Sequence, residues 1–148
     1  MVTREQIVST AREYKETPFQ HQGRIKGHGL DCVGLPLCVA AELKMKDKSG
    51  KPFLRNDSSK YGPQPLDRFV HEECQRRLIE VPIEEMDEGC VLTMRVPKIP
   101  CHVAIVCKTN GVWGIVHAYA GSRKVVEHEL TKKWRDRVEG CFKFPEIA

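Results

Sequence analysis

The chain has 148 residues, 41% of them hydrophobic and 30% charged, with a formal net charge of +4. That length suits one domain with a sizeable core and is short for two. No apolar run approaches the roughly 20 residues of a membrane span, and Lys and Arg are spread too evenly for a nucleic-acid interface, so neither a bilayer nor nucleic acid is an expected partner.

The opening MVTREQIVSTAREYKE carries charges where a signal peptide has an unbroken apolar core, so synthesis in the cytoplasm is expected. Seven cysteines is an odd count without any C-x-x-C pair. Buried thiols are expected, rather than a disulfide framework or a metal site, and nothing in the sequence calls for a cofactor.

Thr3, with Gln6 three residues on and Val2 facing Ile7, forms a helix-start signature, which predicts a helix from about Arg4 to Tyr14, stopped by Pro18. Residues 19 to 29, with three glycines and two histidines, read as a loop leading to Asp31-Cys32. VGLPLCVAAELKM then reads as a buried helix that starts close to Cys32, because Pro36 is tolerated only in a first turn. A long polar loop follows, and Leu66, Phe69, Val70, Cys74 and Leu78 recur at helical spacing on a charged segment. From Gly89 onward five short β-rich runs alternate with turn signals: CVLTMRV, HVAIVCK, GIVHAYA, KVVEHEL and EGCFKF. The outline is α+β, with helices followed by an antiparallel meander of about five strands.

A cysteine nucleophile must reach the thiolate, through a helix N-terminus or a neighbouring imidazolium. Lowering a thiol from about 8.5 to about 6 takes roughly 3.4 kcal/mol, whereas a helix end supplies about 0.3–1 and at best about 2. A histidine must therefore contribute. Asn110-Gly111 is the strongest hairpin signal in the chain, and a two-residue turn there pairs positions whose numbers sum to 221. His102, Ala104, His117 and Tyr119 then share one face, with the two histidines on a diagonal within reach. The resulting scheme has Cys32 as nucleophile, His102 as general base and His117 as its orienter, with Cys32 expected to be a thiolate below neutral pH. The oxyanion would be met by the Cys32 backbone N–H and a donor from the preceding loop, with His21 and Gln22 as candidates and Asp31 as a further substrate-side candidate. His71 and His128 lie among charges and are expected in solvent. His28 is expected only to shape the loop, Cys38, Cys74, Cys107 and Cys141 to be core thiols, Cys101 to point away from the site, and Trp113 and Trp134 to be core or rim anchors.

TPFQHQGRIKGHGLDCVGL resembles the G-T-P-Y…G-x-D-C-x-G-L nucleophile segment of NlpC family cell-wall cysteine peptidases, and HQGR and GHG resemble its phage-encoded branch. DEGCVLTMRV, CHVAIV, IVHAYAGSRKVVEHEL and WRDRVEGCFKFP follow the family's order of strands, so the similarity spans nearly the whole chain. The resemblance implies a papain-like fold and hydrolysis of peptidoglycan stem peptides, typically between D-γ-glutamyl and a diamino acid. It matches Cys32 to the nucleophile, His102 to the base and His117 to the orienting residue. It also implies a phage or prophage tail setting, with incorporation in the virion and other tail proteins as partners. Three positions depart from the pattern: Phe19 stands where a tyrosine hydroxyl often helps the oxyanion, Gly89-Cys90 replaces Gly-Asp, and H-V-A replaces H-V-G. Two alternatives remain open: another cysteine amidase or transferase with the same three residues, and a catalytically idle tail-tip module. Substrate choice is expected to lie in loops 20 to 30 and 47 to 65.

Overall fold

Thr3 opens the first helix, α1 (Arg4–Arg12), with both halves of a capping box: Gln6 N–H donates to Thr3 Oγ1 at 3.1 Å, and Thr3 N–H donates to Gln6 Oε1 at 2.8 Å. In this computed structural model, which describes residues 1–54, 69–97 and 99–148, the helix stops two residues sooner than its sequence predicts. Glu13 caps it, and a turn ending with Glu16 at φ +74° leads to Pro18, so the proline follows the stop rather than causing it.

The glycine-rich loop contains a short hairpin, β1 (Arg24–Ile25) paired with β2 (Gly29–Leu30). Helix α2 (Gly34–Glu42) follows, with Pro36 in its first turn as expected. Helix α3 (Phe69–Arg77) covers the described part of the charged segment, and Leu66 and residues 55–65 of the long loop lie outside the described residues.

Six strands form one antiparallel sheet: β3 (Ile79–Val81), β4 (Val91–Val96), β5 (Ile99–Thr109), β6 (Val112–Tyr119), β7 (Lys124–Glu129) and β8 (Val138–Lys143), in the order β3-β8-β4-β5-β6-β7. The last five are the runs read from the sequence. The sixth, β3, pairs Ile79 with Lys143 and Val81 with Cys141; three edge residues directly after a helix carry too little alternation to show beforehand. A four-residue helix, α4 (Lys132–Arg135), bridges β7 and β8.

Both faces of the sheet are covered, which explains why its strands read as continuous apolar runs. One face, through Val91, Val103, Ile105, Val116 and Phe142, packs against Ile7, Val8 and Ala11 of α1 and Leu35 and Val39 of α2. The other, through Leu92, Met94, Ala104, Val106 and Ile115, lies under Trp113, Tyr119 and Trp134. The two tryptophans are therefore rim anchors, as the sequence suggests. Asn110 and Gly111 both have positive φ, +52° and +80°, as a type I′ turn requires. The ladder it starts runs from Thr109↔Val112 to Ile105↔Val116, each pair summing to 221.

Candidate active site

The segment around Cys32 is positioned by backbone packed too closely for side chains. A Cβ on Gly34 would stand 2.5 Å from the Gly23 carbonyl oxygen, and one on Gly23 would stand 2.5 Å from that of Gly29. Asp31, 3% exposed, ties this loop to the helix: Oδ2 accepts from Gln22 N–H, and Oδ1 accepts from Arg24 Nη1 and Gly34 N–H, each at 2.8 Å. Asp31 thus serves as the cap of α2 and the partner of Arg24, and an ionised carboxylate so engaged donates nothing to an oxyanion.

Cys32 follows directly and keeps part of its surface accessible. Its own N–H donates to no described residue. Its sulfur rests against the backbone N–H groups of Val103 and Val33, with Asp31 and Cys101 close by. The sheet explains the first contact: β5 extends beyond its ladder with β6, so β5 is open on that side at Val103 and the thiol takes the place of a neighbouring strand. Burial, then the Asp31 charge and Cys101, push the Cys32 thiol up to about 12 against the two N–H contacts. This corrects the expectation of a helix-activated thiolate, because the carboxylate that caps the helix sets its own negative charge beside the sulfur.

The two histidines meet as their face predicts. His102 Nε2 lies 2.7 Å from His117 Nδ1, although the backbone pairs Ala104–His117 and His102–Tyr119 do not form, since the ladder ends at Ile105↔Val116. The contact continues to a third ring: His117 Nε2 lies 2.8 Å from His128 Nε2, and His128 Nδ1 lies 2.9 Å from the Glu129 carbonyl oxygen. Tyr119 stacks on His117 with centroids 5.3 Å apart, and the Trp134 ring stands 5.2 Å from His117 and 4.9 Å from His128. Burial, then His128, hold His102 down at about 3, and burial, then His102 and His128, hold His117 lower still. Both rings are neutral at pH 7.

No hydrogen bond joins Cys32 to either imidazole; the sulfur touches the strand at Val103, one residue along from His102. His102 and Ala104 turn to one face of β5 and Cys101 and Val103 to the other, so Cys101 points away from the histidines, as alternation requires, yet lies on the side where Cys32 packs. His21 and Gln22 are half-buried in the loop, and the Gln22 N–H is spent on Asp31. His28 is exposed. Phe19 packs on the main core while its N–H donates to the Arg123 carbonyl. Cys90, at the departure from Gly-Asp, is buried and accepts from Arg4 Nη1 at 3.6 Å. Cys38, Cys107 and Cys141 are buried as expected, and Cys74 is half-buried.

Of the two histidines expected in solvent, His71 is buried and His128 is half-buried against His117. His71 Nδ1 lies 3.0 Å from Thr93 Oγ1, because α3 turns it onto β4 and β8. His128 is the member of the ring chain that the sequence hid. It sits between two glutamates, and only the β6–β7 register, which sets Ile115 opposite His128 and His117 opposite Val126, brings its ring to His117. The alternation of His117 and His128 across adjacent strands was the available signal, but it needed that register.

No protein-family model matches the chain, and no curated protein matches it. Solved structures do. The chain is similar to the NlpC/p60 domain of the peptidoglycan hydrolase SagA, with 18% identity and a TM-score of 0.63 over 97% of this chain and 100% of that one. It is also similar to an NlpC/P60 family protein from Bacillus cereus, with 18% identity, a TM-score of 0.64 and 96% of this chain covered; it spans only 40% of that protein. A third likeness is to an N-acetylmuramoyl-L-alanine amidase from Bacteroides uniformis, with 12% identity and a TM-score of 0.59 over 97% of this chain and 99% of that one. The fold is that of the NlpC/p60 domains: α+β, with helices packed on a six-stranded antiparallel sheet.

Proposed function

We propose that this chain is a cysteine-dependent peptidoglycan hydrolase, an endopeptidase that opens stem-peptide amides of the D-γ-glutamyl–diamino acid type. The observation that carries the reading is the placement of the Cys32 sulfur on the open edge of β5 at Val103, one residue from a buried His102–His117 pair 2.7 Å apart. The peptidoglycan hydrolase and amidase among its structural neighbours support the substrate class. HQGR and GHG, resembling phage-encoded members, support a phage or prophage tail as the setting, with other tail proteins as partners.

A neutral thiol on the strand that carries a neutral imidazole one residue away sets the chemistry. Proton transfer from Cys32 to His102 accompanies attack, so the S–C bond forms as the S–H bond breaks and no thiolate accumulates beforehand. The Cys32 N–H, which has no partner among the described residues, then donates to the oxyanion. The imidazolium returns its proton to the departing amine, and water, deprotonated by His102, cleaves the thioester to a carboxylic acid and regenerates the thiol.

Digestion of purified peptidoglycan followed by mass spectrometry tests this reading. The expected products carry a new free amine on the diamino acid, and Cys32→Ala yields none. Two observations favour other readings. The amidase neighbour favours cleavage of the glycan–peptide amide, which would release L-alanine N-termini instead. The thiol, held near 12 without an imidazole hydrogen bond, favours an idle tail-tip module, for which wild type and Cys32→Ala would leave the wall equally intact.

A further inference from the structure

The three-ring chain has a direction, and its far end sets it. A carbonyl oxygen only accepts, so the 2.9 Å contact with Glu129 requires His128 to carry its proton on Nδ1. A neutral His128 then has a bare Nε2, and the 2.8 Å contact obliges His117 to donate from Nε2. His117 in turn has a bare Nδ1, and the 2.7 Å contact obliges His102 to donate from Nε2. His102 is left with an unprotonated Nδ1, which has no hydrogen-bond partner among the described residues. With all three rings neutral, three contacts and one carbonyl decide which nitrogen of the first ring can receive a proton.

We propose that His128 is a positioning residue for the hydrolysis: anchored on the Glu129 carbonyl, it locks the tautomers of His117 and His102 so that His102 Nδ1 is the ring nitrogen left bare to accept the proton that the reaction releases. This rests on the cysteine hydrolase reading above. In the reaction the thiol proton moves to His102 Nδ1 as sulfur bonds to the carbonyl carbon. The resulting imidazolium keeps its Nε2–H on His117, whose own Nε2–H remains on His128. Without His128, His117 is able to turn its proton to Nδ1, where it opposes the His102 Nε2–H and favours the His102 tautomer that is protonated on Nδ1 and useless as a base. The Trp134 ring stands against His117 and His128, with centroids 5.2 and 4.9 Å away.

The experiment pairs nitrogen NMR of ring-labelled histidines with peptidoglycan kinetics on the full chain. In wild type and in Cys32→Ala at neutral pH, His102 and His117 are expected protonated on Nε2 and His128 on Nδ1. His128→Leu, which removes the acceptor, is expected to lose roughly 10–100-fold in kcat with KM nearly unchanged and to shift His102 toward the Nδ1–H tautomer. His128→Gln, whose Oε1 reaches where Nε2 lies, is expected to recover most of that rate and the wild-type tautomers. Finding His128 protonated on Nε2, or Gln no better than Leu, overturns the proposal. The stated tautomers in a wild-type protein that hydrolyses nothing would instead overturn the hydrolase reading on which it rests.

Discussion

Gly34→Ala sets two effects of opposite sign against each other. In the first turn of a helix, alanine replacing glycine ordinarily stabilises by about 0.5–1 kcal/mol through lost unfolded-state freedom. Here the added Cβ would stand 2.5 Å from Gly23 O, 3.1 Å from Arg24 Nη1 and 3.2 Å from Asp31 Oδ1, where ordinary contact begins at 3.4 Å. The nearest atom is backbone and cannot swing aside: Gly23 N–H is bound to Gln20 O at 2.8 Å, and Gly23 O accepts from Arg24 Nη1 at 2.8 Å. The loop must shift by most of an ångström, an overpacking that costs about 1–3 kcal/mol. The charged Asp31–Gly34 N–H bond, worth about 1.5–3 kcal/mol, weakens as it shifts. Collision outweighs propensity, leaving a net loss of about 2–4 kcal/mol, or about 5–15 °C in Tm. Urea and thermal unfolding measure it, with Gly27→Ala as the comparison: a Cβ there meets nothing within 4 Å, so only the strain of φ +79°, about 1 kcal/mol, remains. Gly34→Ala as stable as wild type, or more stable than Gly27→Ala, would refute the steric account of this loop.

Two more outcomes follow from buried charges. Because burial and Asp31 hold the Cys32 thiol near 12, alkylation of Cys32 by iodoacetamide should be slow at neutral pH and rise about tenfold per pH unit above it, with Asp31→Asn faster at every pH. A fast, pH-independent rate would show the thiolate is already present. Arg77 donates to the fully buried Asp47 at 3.2 Å and to Phe53 O at 2.7 Å. Burial opposes the Asp47 charge, but hydrogen bonds from Ser49, Lys51 and Arg77 more than offset it and hold the carboxyl well below the usual range. Arg77→Leu should therefore destabilise by about 3–5 kcal/mol at neutral pH. The folded pKa is depressed, so the ion pair's stabilisation is present above the unfolded value of about 3.9 and fades as pH falls below it. Calorimetry across that range should show the gap between variant and wild type closing toward acid; a gap that stays constant contradicts the assignment.

Much of this molecule follows from local rules that its residues obey one at a time. Thr3 and Gln6 dictate how α1 begins, Pro36 confines the start of α2, and Asn110-Gly111 sets both the turn and the register that puts His102 and His117 within reach of each other. Each of these is a contact between residues near in sequence, or a ladder counted outward from one turn, so it needs no knowledge of the rest of the chain. The ionisation of Cys32, the burial of His71 and the joining of His128 to the histidine pair depend instead on groups from separate elements: a capping carboxylate, the open edge of β5, and the register of β6 on β7. Burial and charge act through space, and the distances that govern them exist only once the sheet has closed against its helices.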